Sequence, residues 1–552
     1  MRASRPARRC LHYLSRAGTP PARPFSLSSP ARTTASDPDP RSASSTSSAP
    51  AVPPSPPPPP RHAAGPKPVI DVKHIRTNIE LHEQNCRDRN YPACAAYPRR
   101  IAALHDERQR HTLAARRLRE RANLLGRRLA DPSSPSPVPA DPASLPPDDA
   151  SLLPPPSRDE LLAEARRVKT ALSAIEADES RAAAEMDALA AAMPNLTSPD
   201  TPRGSEPRLL AYINDPPPAP APGAPPAPSH VAVGTELRLL DFASAATTSG
   251  WGWYFLLGDA ARLEHALVSH ALAAAARAGW APVSPPSVVY GHVAAACGFQ
   301  PRDQHGETQI YTLGPSPPSA SAAEKGGDAP PPGRCLAGTA EIPLAGLRAG
   351  ATLAAAALPQ RRAAASRCFR AEAGARGADA RGLYRVHEFT KVELFAWTAP
   401  DAASAAAVLD DVVDLQTDIL QSLGLPCRVL EMPTADLGAS AMRKIDIEAY
   451  FPGRAAAAGG KNGGGGGGGW GEVTSASVCG DYQTRRLGTR LRGAGGSGLG
   501  FPWTVNGTAL AVPRVLAALL ENGWDEADRS VAIPEVLRPW MDGKEKIGLQ
   551  EE

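Results

Sequence analysis

Three proline-rich stretches divide this chain before any other property is considered. Ten prolines fall within residues 131–156 and ten more within 201–228, while residues 37–68 are rich in Ser and Pro, with five consecutive prolines from Pro56 to Pro60. Proline locks φ and carries no N–H, so segments this dense cannot enter a helix interior or a central strand and stay extended. Pro and Gly account for 108 of 552 residues (61 and 47), too many for one compact domain throughout. They show no G-X-Y period, and the eight cysteines include no C-x-x-C pair, so collagen, zinc-ribbon and disulfide-framework architectures are excluded. The expected organisation is a leader over 1–36, a linker over 37–68 and a helical arm over 69–200 interrupted at 131–156. A second linker over 201–230 and a main domain over 231–552 complete it.

Residues 1–36 contain seven Arg, many Ser and Ala, and no acid before Asp37. This is the composition of a mitochondrial transit peptide, so a location in the mitochondrial matrix is expected, with a disordered basic tail as the alternative. The net charge of +3, from 60 basic and 57 acidic residues, is too even to name a nucleic-acid partner by arithmetic. Apolar runs are broken well before the roughly 18 residues that a membrane span needs, so no membrane association is expected.

Residues 99–130 and 158–193 carry a seven-residue apolar repeat. Ile101, Arg108, Ala115, Ala122 and Leu129 alternate with Leu104, His111, Leu118 and Leu125 in the first, and Ala165, Leu172, Glu179, Met186 and Met193 with Val168, Ile175, Ala182 and Leu189 in the second. Two helices with one seam each, joined by a Pro-rich turn, bury those seams most economically as an antiparallel hairpin. At 1.5 Å per residue the arm is about 45 to 50 Å long. The first helix has ten Arg against three acids, the second five basic against eight acidic residues. One helix therefore presents a basic flank, either as a solvated coiled-coil face or as a grip on a phosphate backbone.

The main domain alternates short β-like runs with Ala-rich helical ones and reads as α+β, interrupted at 314–334 and by the glycines from Gly463 to Gly469. That Gly tract has no Lys-Ser or Lys-Thr after it and reads as a surface loop. Residues 366–374 (SRCFRAEAG) and 381–393 (RGLYRVHEFTKVE) alternate as two antiparallel strands would. On the first, Arg370 and Glu372 at i and i+2 are expected to project from one face, a guanidinium beside a carboxylate. His387 reads as a satisfied strand residue and Cys368 as a packed thiol.

These two runs together resemble motif 2 of seryl-tRNA synthetases. Other signatures of that family follow in order: Gly338-Thr339-Ala340-Glu341 resembles its serine-binding T-A-E motif, and Asp446-Ile447-Glu448 with Gly471-Glu472-Val473-Thr474-Ser475 resembles its E-x-S/T-S region. Asn506-Gly507-Thr508 through Arg514 resembles its motif 3, and Pro285-Pro286 its motif 1. The resemblance spans about residues 70 to 540. It implies a class II aminoacyl-tRNA synthetase: an antiparallel sheet flanked by helices, dimerising through motif 1 and preceded by a coiled-coil arm that holds the variable arm of serine tRNA.

The implied reaction joins serine to ATP as seryl-adenylate and then transfers it to the 3′ end of tRNA(Ser), for mitochondrial translation. Arg370 and Arg514 are the implied catalytic residues, Arg370 bridging the serine carboxylate and the α-phosphate. Thr339, Ala340, Glu341, Glu393 and Thr508 are implied for the serine pocket. Ala371, Glu372, Val386, Phe389, Val473 and Thr474 are implied for ATP, with Phe389 and Arg514 sandwiching the adenine. Glu472 and Ser475 are implied to hold Mg²⁺, a hard cation suited to oxygen ligands. Pro513 replaces the usual Gly before Arg514, which bears on how that side chain meets ATP. The alternative is a non-catalytic relative binding tRNA or a protein partner. It is disfavoured because Arg370, Arg514, Glu341 and Glu393 are all present.

Overall fold

The computed structural model describes residues 65–131, 157–215, 226–299, 310–314, 333–372, 382–457, 469–493 and 498–550. The leader, nearly all of the first linker, most of the 131–156 insertion and most of the Gly tract lie outside the described residues.

Two short helices, α1 (Val72–Thr77) and α2 (Ile79–Asp88), precede the arm. The arm is α3 (Tyr97–Ala130) and α4 (Arg158–Ala192), the latter opened by a capping box in which Ser157 and Glu160 satisfy each other's backbone N–H groups. Arg100 meets Glu185, Thr112 meets Glu179, Arg119 meets Glu176 and Arg121 meets Glu164. Partner numbers fall as arm numbers rise, so the helices are antiparallel, as the repeat predicts. The seam is not uniformly apolar. Ile101, Leu104, Ala182, Met186 and Ala190 form one cluster at the base, and Leu125, Leu161 and Val168 form another towards the tip. Between them Arg108 sits 3.9 Å from Glu179 at two repeat positions, a partly exposed polar break in the apolar seam. The basic flank is also smaller than composition suggests, because Arg100, Arg108, Arg119 and Arg121 are turned onto acids of α4. Arg110, Arg117 and Arg127 remain on the exposed surface.

The body is built on an eight-stranded sheet. Its strands are β1 (Arg208–Ile213), β2 (Ala281–Pro282), β3 (Gln360–Phe369), β4 (Glu388–Thr398), β5 (Cys427–Glu431), β6 (Arg443–Tyr450), β7 (Trp470–Gly480) and β8 (Trp503–Ala511). The order is β1-β5-β6-β7-β8-β4-β3-β2, antiparallel throughout except for the two residues of β2, which run parallel to β3. The expectation of a linker over 201–230 is therefore corrected: Arg208–Ile213 is an edge strand paired with Cys427–Glu431, and Arg208 forms an ion pair with the buried Glu431. Five of its six residues are exposed, so it lacks the alternation that would have marked it within its Pro-rich surroundings.

Helices α5 (Gly258–Arg277), α6 (Gly291–Ala296), α7 (Glu341–Gly346), α8 (Ala402–Ser422), α9 (Tyr482–Leu487) and α10 (Val512–Asn522) cover this sheet. Side chains alternate across a strand, and β4 divides its own between two cores and a cavity. Val392, Leu394 and Ala396 enter the main core with α5, α8 and α10. On the opposite face Phe395 and Trp397 enter a second core with α6 and α7, while Phe389, Lys391 and Glu393 line the cavity.

The base of the arm is fastened to the body by a buried cation. Arg89, just past α2, is fully buried and donates from Nη1 to the carbonyls of Asn195 (2.9 Å) and Ala441 (2.7 Å), and from Nη2 to that of Gly438. Asn195 donates to the carbonyls of Ser440 (2.9 Å) and Cys479 (2.8 Å). Carbonyls that would otherwise be stranded away from water are thereby satisfied. Arg89→Met keeps most of the volume but none of the donors, and is expected to cost about 3 kcal/mol or more, read as a lower midpoint in urea unfolding.

Candidate active site

The cavity has a volume of about 420 Å³ and opens where β7 and β8 part. Their pairing runs through Ser477 opposite Asn506 and ends at Ala476 opposite Gly507. Beyond that point the carbonyls of Ser475 and Thr508 have lost their ladder partners. The buried Gln416 of α8 takes both, its Nε2 donating at 2.8 and 2.9 Å, and the Thr474 hydroxyl adds a bond to the Thr508 carbonyl.

An extra residue on each diverging strand aims the side chains. Glu448 faces Glu472 whereas Ile447 faces Thr474, so Val473 is a bulge residue on β7. Residues i and i+3 of a regular strand point to opposite faces, but across this bulge Glu472 and Ser475 both line the cavity. On β8, Ala509 plays the same part: Glu393 faces Thr508 and Val392 faces Leu510.

One end of the cavity is an acidic niche. Thr339, Glu341, Glu393, Thr508 and Lys391 line it. Thr339 donates its hydroxyl to Glu393 at 3.0 Å, and Lys391 is ion-paired to the same carboxylate. Glu341, at the start of α7, accepts from Gln483 at 2.6 Å. Burial and the nearby Glu393 push the Glu341 carboxyl up to about 8, against the pull of Lys391, Gln483 and Arg370. The niche thus has two carboxyl groups and one lysine; a small ammonium group with a hydroxyl arriving there would draw Glu341 into its ionised form and be held by it.

The other end is cationic. Arg514 donates to the Tyr384 carbonyl (3.1 Å) and the Glu472 carbonyl (3.0 Å), pairs with the Glu472 carboxylate at 3.2 Å and lies over the Tyr384 ring. Burial would raise the Glu472 carboxyl, but Arg514, Lys444 and Arg370 together hold it below the ordinary carboxylate range. Pro513 sits in the first turn of α10, where the missing N–H would have had no helical partner and the fixed φ suits the helix. It does not keep Arg514 from the cavity. Glu472 and Ser475 offer a carboxylate and a hydroxyl on one wall, and no cluster of three His, Cys, Asp or Glu able to hold a metal occurs among the described residues. Such a pair fits a Mg²⁺ whose other ligands are water and phosphate rather than an all-protein cage.

Of the residues singled out in the sequence, Arg370, Arg514, Thr339, Glu341, Glu393, Thr508, Glu372, Val386, Phe389, Glu472, Val473, Thr474 and Ser475 line this one cavity; Ala340 and Ala371 do not. Ala340 is fully buried beneath the niche. The strand geometry expected for Arg370 and Glu372 is corrected. β3 ends at Phe369, and Glu372 has φ +47°, so alternation does not apply to them. They reach the cavity from the irregular residues just after β3, where Arg385 pairs with Glu372 at 3.2 Å and Arg370 lies over Phe389. His387 precedes β4 rather than lying in it. Its ring bonds the Tyr311 hydroxyl (2.8 Å) and the Arg370 carbonyl (3.2 Å) and stacks on Trp253. Cys368 is fully buried, and burial raises its thiol. Sequence reasoning missed Lys391 and Lys444 on the walls and Gln416 and Gln483 behind them. Lys391 had a signal, since it falls between Phe389 and Glu393 in a period of two.

Comparison with known proteins places this geometry. The family described as tRNA synthetase class II core domain (G, H, P, S and T) matches residues 334–523. The mitochondrial serine-tRNA ligase of Saccharomyces cerevisiae is 41% identical over 357 residues, covering 64% of this chain and 72% of that protein. The mitochondrial serine-tRNA ligase of Schizosaccharomyces pombe is 35% identical over 482 residues, 86% of this chain and 88% of that one. The serine-tRNA ligase of Rhodopirellula baltica is 40% identical, covering 70% and 83%. Among solved structures, seryl-tRNA synthetase from Pyrococcus horikoshii complexed with ATP superposes with a TM-score of 0.69 at 28% identity, covering 87% of this chain and 100% of that one.

A carboxyl held above its unfolded value binds its proton more tightly in the folded chain, so stability is lost as pH rises from the unfolded value of about 4.3 towards the folded one. Glu341 should contribute such a loss up to about pH 8. In urea unfolding across that range, the stability difference between Glu341→Gln and the wild type should move in favour of the variant as pH rises. A difference that stays flat contradicts the raised carboxyl.

Proposed function

The chain belongs to the seryl-tRNA synthetases, class II aminoacyl-tRNA synthetases that ligate serine to tRNA, and on that premise we propose how its cavity performs the two steps and where in the cell it works. The observation that carries the reading is the pairing, in one cavity, of a cationic wall with an acidic niche.

ATP lies along Arg370, Arg514 and Glu472, with the adenine against Phe389 and near the Val386 backbone, and its amino group accepted by Glu372. Serine occupies the niche, its ammonium and hydroxyl received by Glu341, Glu393, Thr339 and Thr508. Glu472 and Ser475 hold Mg²⁺, which when bound neutralises phosphate charge. The serine carboxylate then attacks the α-phosphorus in line, and Arg370 stabilises the charge that gathers there. Positioning and electrostatics carry the rate, and no general base is needed in this step. In the second step the terminal hydroxyl of tRNA(Ser) attacks the adenylate carbonyl. The chain acts as a homodimer formed through α5 and the segment leading to Pro285-Pro286. An Arg-rich, acid-free leader and the mitochondrial names of two of the relatives support work in the mitochondrial matrix.

The niche is tested by Glu393→Ala in ATP–pyrophosphate exchange. The KM for serine should rise tenfold or more, on the scale of a buried hydrogen bond to a charged group, and the KM for ATP should hardly change. An unaltered serine KM contradicts the assignment.

The arm reads as the tRNA-binding element, and its geometry supplies a clean truncation. Removing all of 99–193 would strip the base cluster in which α1 and α2 pack against the arm. Joining residue 108 to residue 179 through a short Gly loop keeps that cluster, because Arg108 and Glu179 already face each other. The shortened enzyme should retain pyrophosphate exchange while charging of tRNA(Ser) falls by roughly 10²-fold or more, the scale of several lost phosphate contacts. Equal loss of both activities would make the arm a folding element.

A further inference from the structure

We propose that Gln483 is a positioning residue for amino-acid recognition: its side-chain N–H fixes the Glu341 carboxylate towards the cavity without neutralising it. The inference rests on the serine-pocket reading above and goes beyond it in assigning a role to a residue that does not line the cavity.

Gln483 is fully buried on α9. Both ends of its amide are committed. The Thr504 hydroxyl donates to Oε1 at 2.7 Å, and Nε2 donates to Glu341 Oε1 at 2.6 Å. Thr504, itself buried on β8, supports the far end of the amide with a hydroxyl that can donate or accept, and the ionised carboxylate, which can only accept, sets which end meets it. The reversed amide would bring its carbonyl against a carboxylate oxygen, acceptor against acceptor.

The platform beneath is fixed as well. Arg486, three residues along α9, donates to the carbonyls of Tyr482 (3.1 Å) and Ala191 (3.2 Å), and the Thr484 hydroxyl donates to that of Pro502 (2.7 Å). Side chains held this way lose little further freedom when substrate arrives.

A neutral donor suits this place for an electrostatic reason. The one lysine of the niche is spent on Glu393. A second cation on Glu341 would cancel the charge that attracts an ammonium group, and no donor at all would raise still further a carboxyl that burial already raises, or let it turn away. An amide N–H orients the carboxylate and favours its charged form while leaving its charge for the ligand. The charged and titratable groups around Glu341 are Glu393 and Lys391 on β4, Arg370 beyond β3, Cys297 after α6 and Cys479 on β7.

The test compares Gln483→Leu, Thr504→Val and Glu341→Gln with the wild-type full chain in ATP–pyrophosphate exchange. Gln483→Leu should raise the serine KM about tenfold or more, with the ATP KM and saturating kcat within about twofold. It should also shift the rise of kcat/KM for serine to higher pH, because the donor favouring the ionised Glu341 is gone. Thr504→Val should act in the same direction and less. A Gln483→Leu enzyme whose serine and ATP constants change together, or whose pH profile stays in place, overturns the proposal and leaves Gln483 a packing residue. A Glu341→Gln enzyme with an unchanged serine KM instead removes the serine-pocket reading on which the proposal stands.

Discussion

The parting of two central strands is the constraint on which the rest of this molecule depends. β7 and β8 are paired up to Ala476 and Gly507 and separate beyond them, and a sheet that opens this way strands backbone carbonyls in its interior unless something else bonds them. Gln416 supplies the bonds from below, in place of a ladder. Gly507 sits at the fork because nothing larger fits: a Cβ there would lie 2.5 Å from Val412 and 3.1 Å from the Ser475 carbonyl. Once the fork is held open, the bulges at Val473 and Ala509 turn Glu472, Ser475 and Thr508 into the gap.

Charge in that gap is divided rather than averaged. Arg514 and Lys444 keep Glu472 ionised at one end. At the other, Lys391 balances Glu393 while Glu341 is left with a neutral donor. A polyanionic nucleotide and the ammonium group of an amino acid can then lie side by side, each against the sign that suits it, with Arg370 between them. The body needs the N-terminal segment to keep this shape, because Arg89 and Asn195 bond the carbonyls of Gly438, Ser440 and Ala441, all of which line the cavity.

Much of this was legible in the sequence, for identifiable reasons. The antiparallel arm follows from a seven-residue repeat, and the face shared by Phe389 and Glu393 from a period of two; both periodicities are local. The sets Thr339-Glu341, Glu472-Ser475 and Thr508-Arg514 came from resemblance, since they lie far apart in the chain and only the fold joins them. What escaped was non-local or unmarked. A bulge such as Val473 has no compositional signature, and the short strand Arg208–Ile213 had no alternation to report it. Gln416 and Gln483 sit on helices whose own patterns speak only of packing. The basic flank of the arm was overread because four of its arginines are met by acids of the facing helix, a match that net counts on each helix cannot reveal.

The amino-acid dependence of ATP–pyrophosphate exchange bears most directly on the claim that an acidic, hydroxyl-bonding niche lies beside the nucleotide wall. A pocket whose polar groups are built to bond a hydroxyl leaves them without a partner when the hydroxyl is missing, so exchange with serine should exceed exchange with alanine by about 10⁴ in kcat/KM. Exchange that proceeds equally well with alanine, or without any amino acid, would contradict the account.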